Sequence, residues 1–347
     1  MAPSPDLPIV LYHYDFSPYA KRVVWYLNLR KIPYSQCLQP PVMPRRDLAL
    51  LGVSYRRIPV LSIGRDVYLD TRLIIQKLET LYPASDAHPG ISGAHAGRAE
   101  HTAIEQLIEA RTIEGDLFMR GVQCLPAAAF ADPALQRDRA ALNGIDVDKP
   151  GAVSPLSPEV MRRQRPAALA VVRRWVRWLE DGLLSDGRKW ILDSRAGPSL
   201  ADIEAVWVLH WIGGALPPEV LGAESAPKVA AWVKRFRGAA AEAARTPAGL
   251  KGEDAARLIV GSPYAEPEGD VLQGELVGGV EGLSKGRLVK MWPTDYGSSH
   301  KDAGKLVAVD GKEFVVESEG KFGSVRIHAP RHGFTISADD GRGSSKI

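Results

Sequence analysis

The stretch SPYAKRVVWYL, Ser17 to Leu27, follows a short apolar run PIVLYH, Pro8 to His13, and the two together decide the fold class. The apolar run reads as a buried strand. The second stretch reads as a helix running to Arg30, with Ser17 as N-cap and Pro18 at the first helical position. Pro33 ends it, and Tyr34 to Leu38 reads as a second strand. A Pro-rich loop, QPPVMPRRD, follows. Ile58 to Ile63 is then a strand, Gly64-Arg65-Asp66 a turn and Val67 to Leu69 its hairpin partner. Asp70 opens another helix, with Leu73, Ile74, Leu78 and Leu81 on one face. The order β-α-β followed by β-β-α is a thioredoxin-like layout.

Outward from this unit the pattern changes twice. Glu100 to Gly121 reads as one helix and 125–158 as a long loop or insertion. Pro158 to Leu184, Ser199 to Trp211 and Pro227 to Arg237 are further helices. Beyond Tyr264 the signals are β: Leu288 to Trp292, Leu306 to Val309, Phe314 to Glu317, Val325 to His328 and Phe334 to Ile336, with Asp310-Gly311 as a hairpin turn. The expected domains are 1–85, α/β and thioredoxin-like; 95–255, an all-α helical bundle; and 265–347, a small all-β sheet or barrel. A β unit that small is only marginally stable alone, so it is expected to pack against the helical domain, using Met291 and Trp292.

The formal net charge is +3, from 44 Lys+Arg against 41 Asp+Glu. Nucleic-acid binding calls for a clear cationic excess, so it is unsupported. No apolar run is long enough to span a bilayer. Cys37 and Cys124 form no CxxC pair, so no zinc site, disulfide framework or dithiol redox pair is expected. That usage suits a reducing, cytoplasmic setting, and the Pro-rich N-terminus does not read as a signal peptide. His13, His101, His210 and His300 have no metal-ligand spacing, and no metal is expected. His328 and His332, with Arg331 between, read as solvated surface.

Four features in order carry a family resemblance. SPYAKRVVWYL is similar to the Ser-Pro-aromatic-x-x-Arg-Val start of the first helix in serine-type, tau- and omega-like glutathione transferases. Ile58-Pro59 before a strand resembles that family's cis-proline. Asp70-Thr71 resembles the acidic-Ser pair that holds the γ-glutamyl group, with Thr in place of the usual Ser. Ser199-Leu200-Ala201-Asp202 resembles the buried capping box of the helical domain. The resemblance covers residues 8–250. Residues 255–347 lie outside the common family pattern.

The resemblance implies glutathione as cofactor or co-substrate. A free thiol has a pKa of about 8.5, and the thiolate is the nucleophile, so the site has to stabilise a sulfur anion. Ser17, between a strand end and a helix start, is placed to offer a hydroxyl and a helix N-terminus, though the same residue also reads as a plain cap. Tyr14 is the second candidate donor, ahead of Tyr12 and Tyr19. Ile58 ahead of Pro59 is expected to pair its backbone with the cysteinyl peptide. Asp70 and Thr71 are expected to hold the γ-glutamyl end. One of Arg45, Arg46, Arg56 and Arg57 is expected to meet the glycine carboxylate, with Arg57 the candidate carried forward and the choice among them left open. An acceptor pocket is expected between the domains near Arg111, Glu114, Phe118 and Trp207 to Trp211.

The implied activity is transfer of the thiolate to a small hydrophobic electrophile by a homodimer. Glutathione-dependent cis–trans isomerisation of an activated double bond and a non-catalytic binding or scaffold role are the alternatives. Ser rather than Cys at position 17 argues against a thiol reductase.

Overall fold

The computed structural model describes residues 7–192, 197–274 and 279–340. The N-terminal unit holds β1 (Ile9–His13), α1 (Pro18–Leu29), β2 (Ser35–Leu38), the single turn α2 (Arg46–Ala49), β3 (Val60–Ile63), β4 (Asp66–Leu69) and α3 (Thr71–Leu81). β1 pairs with β2 in parallel and with β3 antiparallel, and β3 and β4 form the expected hairpin.

The helical region holds α4 (Ala99–Ile113), α5 (Leu117–Cys124), α6 (Pro133–Leu142), α7 (Pro158–Trp178), α8 (Leu200–Ile212) and α9 (Pro227–Glu242). Three expectations are corrected here. The single helix over Glu100 to Gly121 is broken between α4 and α5, where Asp116 takes a left-handed φ of 61°. The stretch 125–158 is not all loop: Asp132 accepts from the Ala134 N–H and Pro133 sits at the first position, so α6 has a good start despite its polar composition. The helix expected to reach Leu184 ends at Trp178 and continues as one wider turn, Leu179–Leu183.

After β5 (Ala248–Gly249) and α10 (Gly252–Val260) come β6 (Leu288–Pro293), β7 (Asp302–Val309), β8 (Glu313–Gly320), β9 (Gly323–Pro330) and β10 (Phe334–Ala338). Each contains the strand expected from sequence. Asp310 fixes the β7–β8 turn by accepting from the N–H groups of Lys312 and Glu313.

These strands join the N-terminal sheet instead of docking on the helices, and the loops after β6 and β9 meet Leu142 of α6 and Glu114. β9 pairs in parallel with β4, joining everything into one ten-stranded sheet of order β10-β6-β7-β8-β9-β4-β3-β1-β2-β5. The reason is that the N-terminal sheet is apolar on both faces. Ile9, Leu11, Leu61 and Tyr68 face a core shared with α1, α3 and the helical domain. Val10, Tyr12, Val60 and Val67 face a second core completed by Met291, Leu306, Val316, Val325, Ile327 and Phe334. Met291 is fully buried there, not against the helices.

The seam between β4 and β9 also corrects the reading of His328. It is buried, with Nε2 at 3.0 Å from the Asp66 carboxylate and Nδ1 at 3.1 Å from Glu313. Asp66 accepts in addition from the N–H groups of Ala265 and Glu266. Lys77 donates to Glu266 at 2.7 Å and to Glu313 at 2.6 Å. Burial alone would lower the His328 pKa, but its bonds to Asp66 and Glu313 raise it to about 9. Glu266, Glu313 and His328 are of metal-ligating type and lie within 4.8 Å of one another, yet the Lys77 ammonium already supplies the positive charge among the two carboxylates. His332 is exposed, as expected.

Candidate functional site

Two helix N-termini lie side by side at the C-terminal ends of β1 and β4. At the first, Ser17 N–H donates to the Tyr14 carbonyl at 3.0 Å, and its Oγ accepts from the Ala20 N–H at 3.2 Å. Ser17 is therefore a true N-cap, and because Oγ only accepts in that bond its own hydrogen remains available. The side chain is 2% exposed. The Tyr14 hydroxyl accepts from Arg139 of α6 at 3.3 Å, and its ring lies 4.7 Å from Phe16, which is exposed.

At the second, Asp70 has a φ of 68° and accepts from the Arg72 N–H at 3.0 Å. Burial alone would raise the Asp70 carboxyl, but hydrogen bonds and charge from Arg72, with Arg57 nearby, hold it below its usual range. Thr71 is buried and its hydroxyl accepts from the Arg22 guanidinium, which links α1 to α3. Between the two helix starts the Ile58-Pro59 peptide is cis, as its resemblance implied. The structure thus brings Ser17, Ile58, Pro59, Asp70, Thr71 and Arg57 to one region, with Tyr14 turned toward α6.

The four arginines named from sequence separate cleanly. Arg45 is buried and donates to the carbonyls of Arg56 and Pro40. Arg46 is exposed on α2. Arg56 pairs with Asp138 of α6 at 2.9 Å. Arg57 donates to the Tyr296 carbonyl, Nε at 2.9 Å, and to the Asp295 carboxylate, both in the loop between β6 and β7. Sequence reading missed a fifth, Arg72, which bridges Asp70 and Glu114 at 2.9 and 3.0 Å. Glu114 in turn meets His332 at 3.0 Å. The C-terminal strands therefore reach the site twice. No local signal marks Asp295 or His332, because their partners, Arg57 in the N-terminal unit and Glu114 after α4, lie far away in sequence.

The domain interface carries an aromatic stack. Tyr19 lies 4.7 Å from both Phe118 and Trp207, and Phe118 stacks on Trp207 at 5.4 Å and Trp211 at 5.5 Å. Trp207 is core; Phe118 and Trp211 are half-buried and fit the expected interdomain wall. Burial raises the Tyr19 pKa far above its ordinary value, leaving it a neutral phenol. A groove of about 590 Å³ is lined by Val42, Met43, Ala141 and Ile145 together with the charged Arg137 and Asp138. Ser199 to Asp202 is structural, as read: the buried Asp202 accepts from the Ser199 N–H and hydroxyl, the Ile191 N–H and the Trp232 indole.

A thioredoxin-like domain, with the starts of α1 and α3 and the cis Ile58-Pro59 peptide at one end of its sheet, followed by an all-helical domain, defines a two-domain fold class. Residues 11–86 match the family model described as "Glutathione S-transferase, N-terminal domain". Residues 120–245 match one described as "Domain of unknown function (DUF7962)". No curated protein matches. Among solved structures, a GST-like protein from Pseudomonas syringae has a TM-score of 0.63 at 21% identity, covering 95% of this chain and 99% of that one. A match that wide takes in the C-terminal strands, so they belong to a recurring fold. A Tau class glutathione S-transferase from mango, Mangifera indica, covers 66% of this chain and 88% of its own at 16% identity and a TM-score of 0.43. A glutathione S-transferase from Methylobacterium radiotolerans, in complex with glutathione sulfonate, covers 69% and 97% at 20% identity and a TM-score of 0.44.

Proposed function

We propose that this chain is a glutathione transferase that binds the tripeptide between the N-termini of α1 and α3 and presents its thiolate to a small hydrophobic electrophile. The observation that carries this reading is the environment of Ser17: a buried hydroxyl at a helix N-terminus whose hydrogen is unspent. A hydroxyl donor and the positive end of a helix both favour sulfur anion over thiol. Depressing the thiol pKa by one unit takes about 1.4 kcal/mol of that preference.

The remaining roles follow from placement. The Ile58 backbone, ahead of Pro59, pairs with the cysteinyl peptide. The α3 N-terminus with Thr71 takes the γ-glutamyl carboxylate, and Asp70 takes its ammonium. Arg57 faces the glycine end. Tyr14 is the reserve donor to sulfur, and the half-buried Phe118 and Trp211 with exposed Phe16 offer an apolar wall to the acceptor. The assembly we propose is a cytoplasmic homodimer of two-fold symmetry.

Ser17→Ala tests the reading. It should raise the pKa of bound glutathione in an ultraviolet thiolate titration and cost on the order of 1–3 kcal/mol of transition-state stabilisation, with a smaller effect on binding. Identical titrations in both proteins would remove Ser17 from the chemistry and leave Tyr14 to be tested. Loss of glutathione during turnover of an aryl halide separates transfer from isomerisation, which regenerates the thiol.

A further inference from the structure

The cation best placed for the glycine carboxylate already holds a carboxylate of its own chain. Arg57, at the residue before Ile58, gives Nε and Nη2 to the Tyr296 carbonyl and Nη2 to Asp295. We propose that Asp295 sets the thiol specificity of this site by competing, as an internal carboxylate, with the glycine carboxylate for Arg57. This rests on the glutathione reading above and adds a selectivity to it: thiols whose glycine end is neutral bind as well as glutathione does.

Asp295 is placed by its loop. On one side Thr294 N–H donates to the Gly333 carbonyl at 2.9 Å; on the other Gly297 N–H donates to the Leu142 carbonyl at 2.8 Å. Gly297 has a φ of +80°, and a Cβ there would lie 3.0 Å from the Arg56 side chain and 3.2 Å from Leu142. Glycine suits both conditions, and the loop is seated against Arg56 and Leu142. The pair itself is accessible, with Asp295 53% and Arg57 22% exposed. Exposed ion pairs are weak and exchange their partners readily, so Asp295 lowers affinity without closing the site.

Of the other arginines named from sequence, Arg45 is spent on backbone carbonyls, Arg56 on Asp138, and Arg46 lies exposed on α2, away from Ile58 in the chain. At the opposite end Arg72 is paired with Asp70 and Glu114. At Arg57 and Arg72 an anionic tripeptide therefore meets guanidinium groups that are already paired, and its glycine carboxylate gains at Arg57 only the difference between itself and Asp295.

Calorimetry on the full-length protein near neutral pH, with glutathione and with its glycine monoethyl ester, tests this. Wild type should bind the two within about twofold. Asp295→Asn should tighten glutathione about five- to tenfold and leave the ester unchanged, and adding Arg57→Gln should abolish the gain. Asp295→Ser serves in the same role should the Asn variant melt early. A wild type that already prefers glutathione tenfold, or a substitution that shifts both ligands together or neither, overturns the proposal while leaving the glutathione site standing. Absence of binding by either ligand to any folded variant overturns the glutathione reading, and this one with it.

Discussion

Arg22 is fully buried and holds three elements to α1. Its Nε donates to Glu204 of α8 at 2.9 Å, its Nη2 to Glu109 of α4 at 3.1 Å, and its Nη1 to Thr71 at the start of α3. It therefore ties the starts of α1 and α3 to the helical domain. Removing one partner of a buried pair leaves the other charge uncompensated. Glu204→Ala should accordingly lower unfolding free energy by about 3–5 kcal/mol in urea, and a loss below about 1 kcal/mol would show that Glu109 suffices. The motif containing Arg22 was legible, but its role was not: Glu204 lies 182 positions away in sequence. Ser17 was read correctly as a cap because capping is local. His328 was misread because its burial depends on Asp66, 262 positions away.

At the scale of elements, the strands of the N-terminal unit and all five after Leu288 were legible from apolar runs and turn residues. The break between α4 and α5 was not, since an isolated glycine at 115 is tolerated within a helical pattern and nothing local announces that Asp116 turns left-handed. Nor could the partner of β9 be read, because its pattern permits pairing with any open edge. That pairing changes what truncation should do. Removing residues after about Ala265 would strip β9 from β4 and uncover Val10, Val60 and Val67. The expected product is an aggregating protein, by light scattering, with an unpaired edge strand. A monodisperse truncated protein that still binds glutathione would show that the N-terminal and helical units stand alone.

For the molecule as a whole, the seam between β4 and β9 is polarised by charge. His328, with a pKa near 9 in the fold against an ordinary 6.5, stabilises the native state fully below about pH 6.5 and loses that contribution as pH rises through 9. The loss is on the order of 3 kcal/mol. Asp302 works in a lower window: burial against only the Ser54 and Tyr55 N–H donors pushes its carboxyl up to about 7, so its effect is complete before His328 titrates. Melting temperature should fall steeply between pH 7 and 9.5 in wild type and much less in His328→Gln. Parallel slopes in the two proteins would mean that the imidazolium is not what holds the seam.

The same pairing has a consequence during synthesis. β4 leaves the ribosome with its outer edge bare, and the strand that covers it is made roughly 260 residues later. At about 5–20 residues per second, the nascent chain spends tens of seconds in that state. Until β9 arrives, the face carrying Val10, Tyr12 and Val67 has no lid either. The N-terminal unit, which carries every residue assigned to glutathione, is thus translated well before the strand that completes its sheet.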